Sequence, residues 1–255
     1  MYTLKKSLGQ HFLKDENICR KIVNELKQYS FGNLLEIGAG GGALTKYLIQ
    51  IPDIHFRAVE VDDEKVIFLK NTYPVLKDKI IHKSFLDIDP PFTEPFTIAG
   101  NFPYNISSQI LFKILEWEDK VECVIGMFQK EVAQRIAAPH GNKEYGILSV
   151  LLQAYYDVEY LFTVGEKVFT PPPKVKSAVI RLKRNKREGA DFDHDLFMQI
   201  VKTAFNQRRK TLHNALGRMS PTVPLDPAIA GKRAEELSVE DYITLAKITA
   251  SNLRK

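Results

Sequence analysis

The chain reads as an α/β protein with a mostly parallel sheet, an antiparallel edge and a small all-helical domain at the C-terminal end. Three observations carry this reading. Short β-rich runs alternate with helical patterns up to about Ala137, a spacing that requires crossover connections and a parallel sheet covered on both faces. Two further runs, Tyr160 to Val164 and Ser177 to Leu182, are separated by a proline-rich segment and no helix, so they can pair antiparallel at a sheet edge. From Leu196 onward only helical patterns remain. With 255 residues and 44% hydrophobic content, a large domain with a real core plus a smaller one is expected.

In chain order, residues 1–13 are basic and aperiodic and read as an arm. Asp15 is placed to cap a helix in which Ile18, Ile22, Val23 and Leu26 form one stripe. Strands are then expected at Leu34–Ile37, Phe56–Val61, Ile80–Ile81, Phe96–Ala99 and Val121–Phe128. Helices should follow near Ala43–Ile49, Asp63–Asn71, Ser107–Trp117 and Lys130–Ala137. A helix over Ile147–Tyr156 precedes the edge strands, residues 184–195 are polar and read as a linker, and Leu196–Gln207, Lys210–Leu216 and Val239–Leu253 are helical. The expected domains are therefore 1–183 and 184–255.

Thirty-six basic against 31 acidic residues give a net charge of +5 and a pI near 9.0, which suggests an anionic partner. Residues 184–255 hold 13 basic and 9 acidic residues, so most of the excess lies in the last third. Cys19 and Cys123 are far apart in apolar settings, which argues against a disulfide framework or a metal cluster and for a reducing compartment. No apolar run approaches the roughly 20 residues that span a bilayer, and the amino terminus lacks a signal-peptide core. A cytoplasmic protein is expected, with no membrane partner and no metal.

Chemistry concentrates at strand tips. Ala99 to Asn105 ends an apolar run on a glycine, an amide, a proline and a phenol. The Asn101 side-chain oxygen can accept from an amine, Pro103 brings carbonyls without a competing N–H, and Tyr104 offers a flat face. The set suits a planar ring with an exocyclic amine; the alternative is an ordinary βα turn. Glu36 to Gly42 is a glycine-rich turn between strand and helix, suited to a nucleoside or dinucleotide, or simply tight. Glu60, at the end of the second strand, can accept ribose hydroxyls. Asp87 is either an acceptor for an adenine amine or a loop cap. Lys202, Arg208, Arg209, Lys210 and Arg218 have no acid between them, and read as phosphate contacts or as a solvated face.

These residues together resemble the KsgA/RsmA-type small-subunit (16S) rRNA adenine N6,N6-dimethyltransferases over essentially the whole chain. The matching stretches are Leu8 to Leu13, Glu36 to Gly40, Val59 to Asp62, Gly100 to Asn105, Gln129 to Arg135, Phe169 to Val175 and Thr203 to Leu212. The resemblance implies a Rossmann-like class I methyltransferase fold, S-adenosylmethionine as methyl donor, and dimethylation of two adjacent adenosines in the 3′-terminal hairpin of 16S rRNA within the small ribosomal subunit or its precursor. Carried over by position, the donor contacts are His11, Leu13, Gly38, Gly40, Glu60, Asp87 and Asn101, while Asn101, Pro103, Tyr104 and Phe169 hold the target base. Phe102 stands where Leu or Ile is commoner, and His11 where Asn is also common. The helical domain is expected to recognise RNA, and the protein to act as a monomer. Competing readings are a large-subunit rRNA methyltransferase of the antibiotic-resistance type, a non-catalytic ribosome-assembly factor and a nicotinamide-dependent oxidoreductase.

Overall fold

A computed structural model describes residues 11–185, 192–217, 219, 223 and 225–253. The elements of the first half are β1 (Phe12–Leu13), α1 (Glu16–Leu26), β2 (Asn33–Ile37), α2 (Thr45–Leu48), β3 (His55–Glu60), α3 (Asp63–Thr72), β4 (Ile80–His82), β5 (Phe96–Asn101), α4 (Ser107–Glu116) and β6 (Val121–Gln129). They are followed by α5 (Lys130–Ala137), α6 (Ile147–Tyr155), β7 (Tyr156–Val164), β8 (Phe169–Thr170), β9 (Ser177–Arg184), α7 (His194–Asn206), α8 (Leu212–Ala215), α9 (Pro227–Ala230) and α10 (Val239–Leu253).

Seven strands form one sheet in the order β4-β3-β2-β5-β6-β9-β7. Strands β2 to β6 pair in parallel, and β9 runs antiparallel to β6. The central strands are buried at nearly every position, as a parallel sheet covered on both faces demands. Asp15 caps α1 by accepting from the Asn17 and Ile18 amides. Because the chain lays β3 and β4 on one side of β2 and then returns to set β5 on the other, a crevice opens beyond the carboxyl ends of β2 and β5. The glycine turn and Asn101 both arrive there.

Three departures from the sequence reading have local causes. Strand β7 begins at Tyr156, which turns extended directly after α6 (φ −132°, ψ 140°), so the edge includes Asp157 and Glu159, the kind of charged residue that protects an unpaired edge. Helix α2 is a single turn. The described end of the arm is not irregular: β1 pairs with β8 in a separate antiparallel ribbon, Phe12 opposite Thr170 and Leu13 opposite Phe169. Residues 1–10 lie outside the described residues.

The chain divides into two compact units, Met1–Ala133 with Glu159–Arg184, and Gln134–Val158 with Asn185–Lys255. This differs from a division at 183/184, because α6 packs with α7 and α10. Its Val150, Leu151, Leu152 and Ala154 are all buried, so it needs apolar partners on more than one side. The second unit has its own core, in which Phe205 stacks with Tyr242 and meets Tyr145 edge-on.

In the first unit, α1 is fastened to the sheet by a nearly buried cation. Arg181 on β9 places Nη1 3.3 Å from Glu25 on α1, pairs with Glu159 on β7, and stacks its guanidinium 4.9 Å from the Tyr29 ring centroid. The cation is the buried member; Glu25 is partly and Glu159 largely open to solvent, so removing Arg181 costs mainly its hydrogen bonds to charged groups. Arg181→Met is expected to lose about 2 kcal/mol of stability, measured by urea denaturation.

Candidate active site

The β2–α2 turn bends through Gly38 (φ +70°) and Gly40 (φ +53°), a left-handed backbone that favours glycine and lets a ligand approach the chain. Glu60, at the tip of β3, holds this turn in place. Its Oε2 accepts the Gly40 amide at 2.7 Å, while Oε1 accepts the Val61 and Asp62 amides at 2.9 and 3.0 Å. A carboxylate offers about four lone-pair positions, so one on Oε2 remains for a ligand hydroxyl. Glu60 is thus first the anchor of the glycine turn, with less capacity for a ribose than a free carboxylate.

Behind it lies Glu36, which is buried and accepts the Thr45 hydroxyl at 2.7 Å. Burial, followed by the nearby charge of Glu60, pushes its pKa up to about 8 despite the Thr45 bond. Burial thus favours the protonated form of Glu36, and both acids contribute to the wall of the same cavity.

On the other side of the crevice, β5 ends at Asn101. Its Nδ2 donates to the His11 backbone carbonyl at 3.1 Å. Since a carbonyl only accepts, this bond orients the amide and leaves Oδ1 to accept from a ligand. His11 is itself held by Nδ1 against the Pro171 carbonyl, 2.9 Å away, and its ring lies 5.6 Å from that of Tyr104, tilted by 32°. The Tyr104 hydroxyl is hydrogen-bonded to Ser177; burial raises its pKa more than that bond lowers it. The Pro103 carbonyl accepts the Ile106 amide at 3.3 Å and keeps its second lone pair.

One cavity of about 280 Å³ joins these two sides. Its wall includes His11, Leu13, Gly38, Gly40, Glu60, Asn101, Pro103 and Tyr104, so most of the residues singled out from sequence meet there. Two do not. Asp87 is exposed and is not among the lining residues, which at this point are Ser84, Phe85 and Leu86; it closes the 3₁₀ turn over Phe85–Asp87. Phe169 is also absent from the wall: opposite Leu13 in the β1–β8 ribbon, it is 1% exposed and sits in the hydrophobic core. The structure thus places Phe169 in the core beside the cavity, not among its lining residues. The lining fits a nucleoside ligand: a close backbone approach at the glycine turn, a carboxylate that can accept a hydroxyl at Glu60, and apolar residues Leu13, Val61, Phe85 and Leu86.

In the helical unit, Arg209 and Lys210 are exposed, and Lys202 is exposed on α7. Arg208 is committed internally, donating to the Lys143 carbonyl at 2.7 Å and facing Glu235 at 3.5 Å. Arg218 lies outside the described residues. Sequence reasoning missed Ser177, Ser84 and Lys83; none stands in a pattern that separates it from an ordinary strand start or loop residue.

The chain matches the model of the ribosomal RNA adenine dimethylase family over residues 1–251. It is 52% identical to ribosomal RNA small subunit methyltransferase A of Cytophaga hutchinsonii, with 96% of each chain covered, and 51% identical to the protein of that name in Flavobacterium johnsoniae, covering 98% of this chain and 97% of that one. Among solved structures, the fold is similar to a dimethyladenosine transferase from Plasmodium falciparum (TM-score 0.82, 24% identity, 95% and 98% covered). It is also similar to the 23S rRNA methyltransferase ErmE (TM-score 0.71, 23% identity, 96% and 100% covered).

Glu36 gives the site a pH signature. Its folded pKa of about 8 lies above the usual value of 4.5, so the folded state holds an extra proton between these limits. Its contribution to stability is full below pH 4.5 and is lost as pH rises toward 8. Glu36→Gln keeps an acceptor for Thr45 and has no proton to lose. Relative to the parent, the variant should gain stability steadily from pH 5 to pH 8, read from urea denaturation at several pH values.

Proposed function

The chain belongs to the ribosomal RNA adenine dimethylase family, and from that premise we propose that its cavity brings S-adenosylmethionine together with the N6 amine of adenosines in 16S rRNA. The protein is an S-adenosylmethionine-dependent rRNA adenine dimethyltransferase, and ribosomal RNA is its substrate. The finer reading is that it dimethylates two adjacent adenosines of the 3′-terminal hairpin within the small subunit or its precursor. It acts there as a cytoplasmic monomer. Relatives at about half identity carry the small-subunit name, whereas the large-subunit enzyme is similar at the level of fold. Among the described residues no helix is long and apolar enough to cross a membrane.

The observation that carries the chemistry is the oriented Asn101 amide. An adenine amine is a poor nucleophile because its lone pair is delocalised into the ring. Asn101 Oδ1 and the second lone pair of the Pro103 carbonyl accept its two hydrogens, which favours a pyramidal nitrogen with its lone pair free to attack. Tyr104, held by Ser177, stacks on one face of the base and limits its rotation. When bound, S-adenosylmethionine supplies an electrophilic methyl group with its own neutral leaving group, so the chain needs no strong base. Glu60 binds a donor hydroxyl, the Gly38–Gly40 turn receives the donor's backbone-facing edge, and Leu13, Val61, Phe85 and Leu86 enclose its apolar surface. The target base must leave its stack to reach Tyr104, which is least costly in a single-stranded loop.

Labelled methyl transfer to unmethylated small subunits and, separately, to large-subunit RNA, followed by nucleoside mapping, tests the substrate; label confined to large-subunit RNA would overturn the reading. Asn101→Ala is expected to cut turnover by about 100-fold or more with RNA affinity nearly unchanged. Replacing Arg209 and Lys210 by Ala should weaken binding across RNA sequences and reduce the salt slope by about two contacts, measured by filter binding at several salt concentrations. Arg208→Ala should instead lower the stability of the helical unit.

A further inference from the structure

Between Asn101 and Pro103, the Phe102 side chain points away from the ligand and into the sheet. It is 1% exposed, meets Phe128 edge-on at 4.9 Å, and its backbone amide donates to the Met127 carbonyl at 3.2 Å. What makes room for its ring is a pair of glycines facing each other across adjacent strands, Gly100 on β5 and Gly126 on β6. A Cβ at Gly100 would fall 2.6 Å from Phe102 Cε1 and 2.7 Å from the Ile37 carbonyl, and one at Gly126 would fall 2.5 Å from Phe102 Cε2 and 2.8 Å from Phe128 Cε2. Carbon atoms in contact sit about 3.5–4.0 Å apart. Neither glycine has the positive φ that would call for glycine on backbone grounds. Gly126 is therefore confined to glycine by the Phe102 and Phe128 rings, and Gly100 by the Phe102 ring together with the Ile37 carbonyl.

We propose that Gly100 and Gly126 form a slot that seats Phe102 and thereby sets the positions of Asn101 and Pro103, making Gly126 a positioning residue for methyl transfer. Asn101 and Pro103 flank the wedged ring directly, and Pro103 Cδ also lies 3.7 Å from where a Cβ on Gly38 would stand, so the loop is confined between the slot and the glycine turn. A Cβ at residue 126 has no flexible chain end to push aside; it meets the edges of two packed rings. The closest approach is to Phe102, at 2.5 Å against 2.8 Å for Phe128, so the larger share of the relief falls on the residue whose backbone is the acceptor loop itself. Gly126 makes no contact with the cavity, so the donor site is untouched. Displacements of about 1 Å at reacting groups cost on the order of 100-fold in rate.

The proposal rests on the reading of Asn101 and Pro103 as acceptors of the adenine amine, and the test separates the two. Gly126→Ala, Phe102→Leu, the double variant and Asn101→Ala are compared for kcat and KM on unmethylated small subunits, for S-adenosylmethionine binding by calorimetry, and for Tm. Gly126→Ala is expected to lose about 100-fold in kcat, with KM and donor affinity within threefold of the parent. The double variant, in which the shorter leucine vacates the space the new methyl needs, should recover at least tenfold of that loss. A folded Gly126→Ala protein with parental kcat, or a folded double variant no faster than Gly126→Ala, overturns the slot. If Gly126→Ala does not fold, a double variant that folds and turns over supports the slot, and one that also fails to fold overturns it. Parental turnover by Asn101→Ala overturns the underlying reading and the slot with it; loss in Asn101→Ala with none in Gly126→Ala overturns the slot alone.

Discussion

The hydrogen bond from the Asn101 amide to the His11 carbonyl is the constraint on which the site depends. A primary amide has two ends of opposite character, and a loop at a strand tip could present either. Tying the donor end to a carbonyl leaves the acceptor end for chemistry. That carbonyl is itself placed by the β1–β8 ribbon and by the bond between the His11 ring and Pro171. The arm, read from sequence as material laid over the rest, decides which end of the Asn101 amide is left free toward the cavity.

Glu60 applies the same logic to charge. Three backbone amides converge on its carboxylate and fix the glycine turn, whereas Glu36 has the Thr45 hydroxyl against a much larger burial cost. Two acids one strand apart thus differ in what donates to them, and it is the poorly supplied, buried Glu36 whose charged form is disfavoured.

Much of this was legible in the sequence. Helices α5 and α10 have the bounds expected from periodicity, and Gly38, Glu60 and Asn101 line one cavity because a parallel sheet with a switch point brings those strand tips together. Legibility failed where a residue's role is set by a partner far along the chain. Ser177 fixes Tyr104 from 73 positions away, and Arg208 is tied to Lys143 across 65. Phe169 belongs to a stretch that marks the family, yet its pairing with Leu13 puts the ring in the core. At shorter range, Asp87 ends a 3₁₀ turn that leaves no periodic signal in the sequence.

The interleaving of the two compact units bears on how the chain is made. Helix α6 leaves the ribosome with Val150, Leu151, Leu152 and Ala154 ready for burial, but α7 begins only at His194 and α10 at Val239. For that interval its apolar surface has no native partner from the helical unit. Synthesis rates of about 5–20 residues per second make the wait for α7 several seconds, long enough for a holding chaperone to act. A single cut after β9 would leave the same helix permanently without its partners, so the catalytic sheet cannot be isolated cleanly by trimming one end.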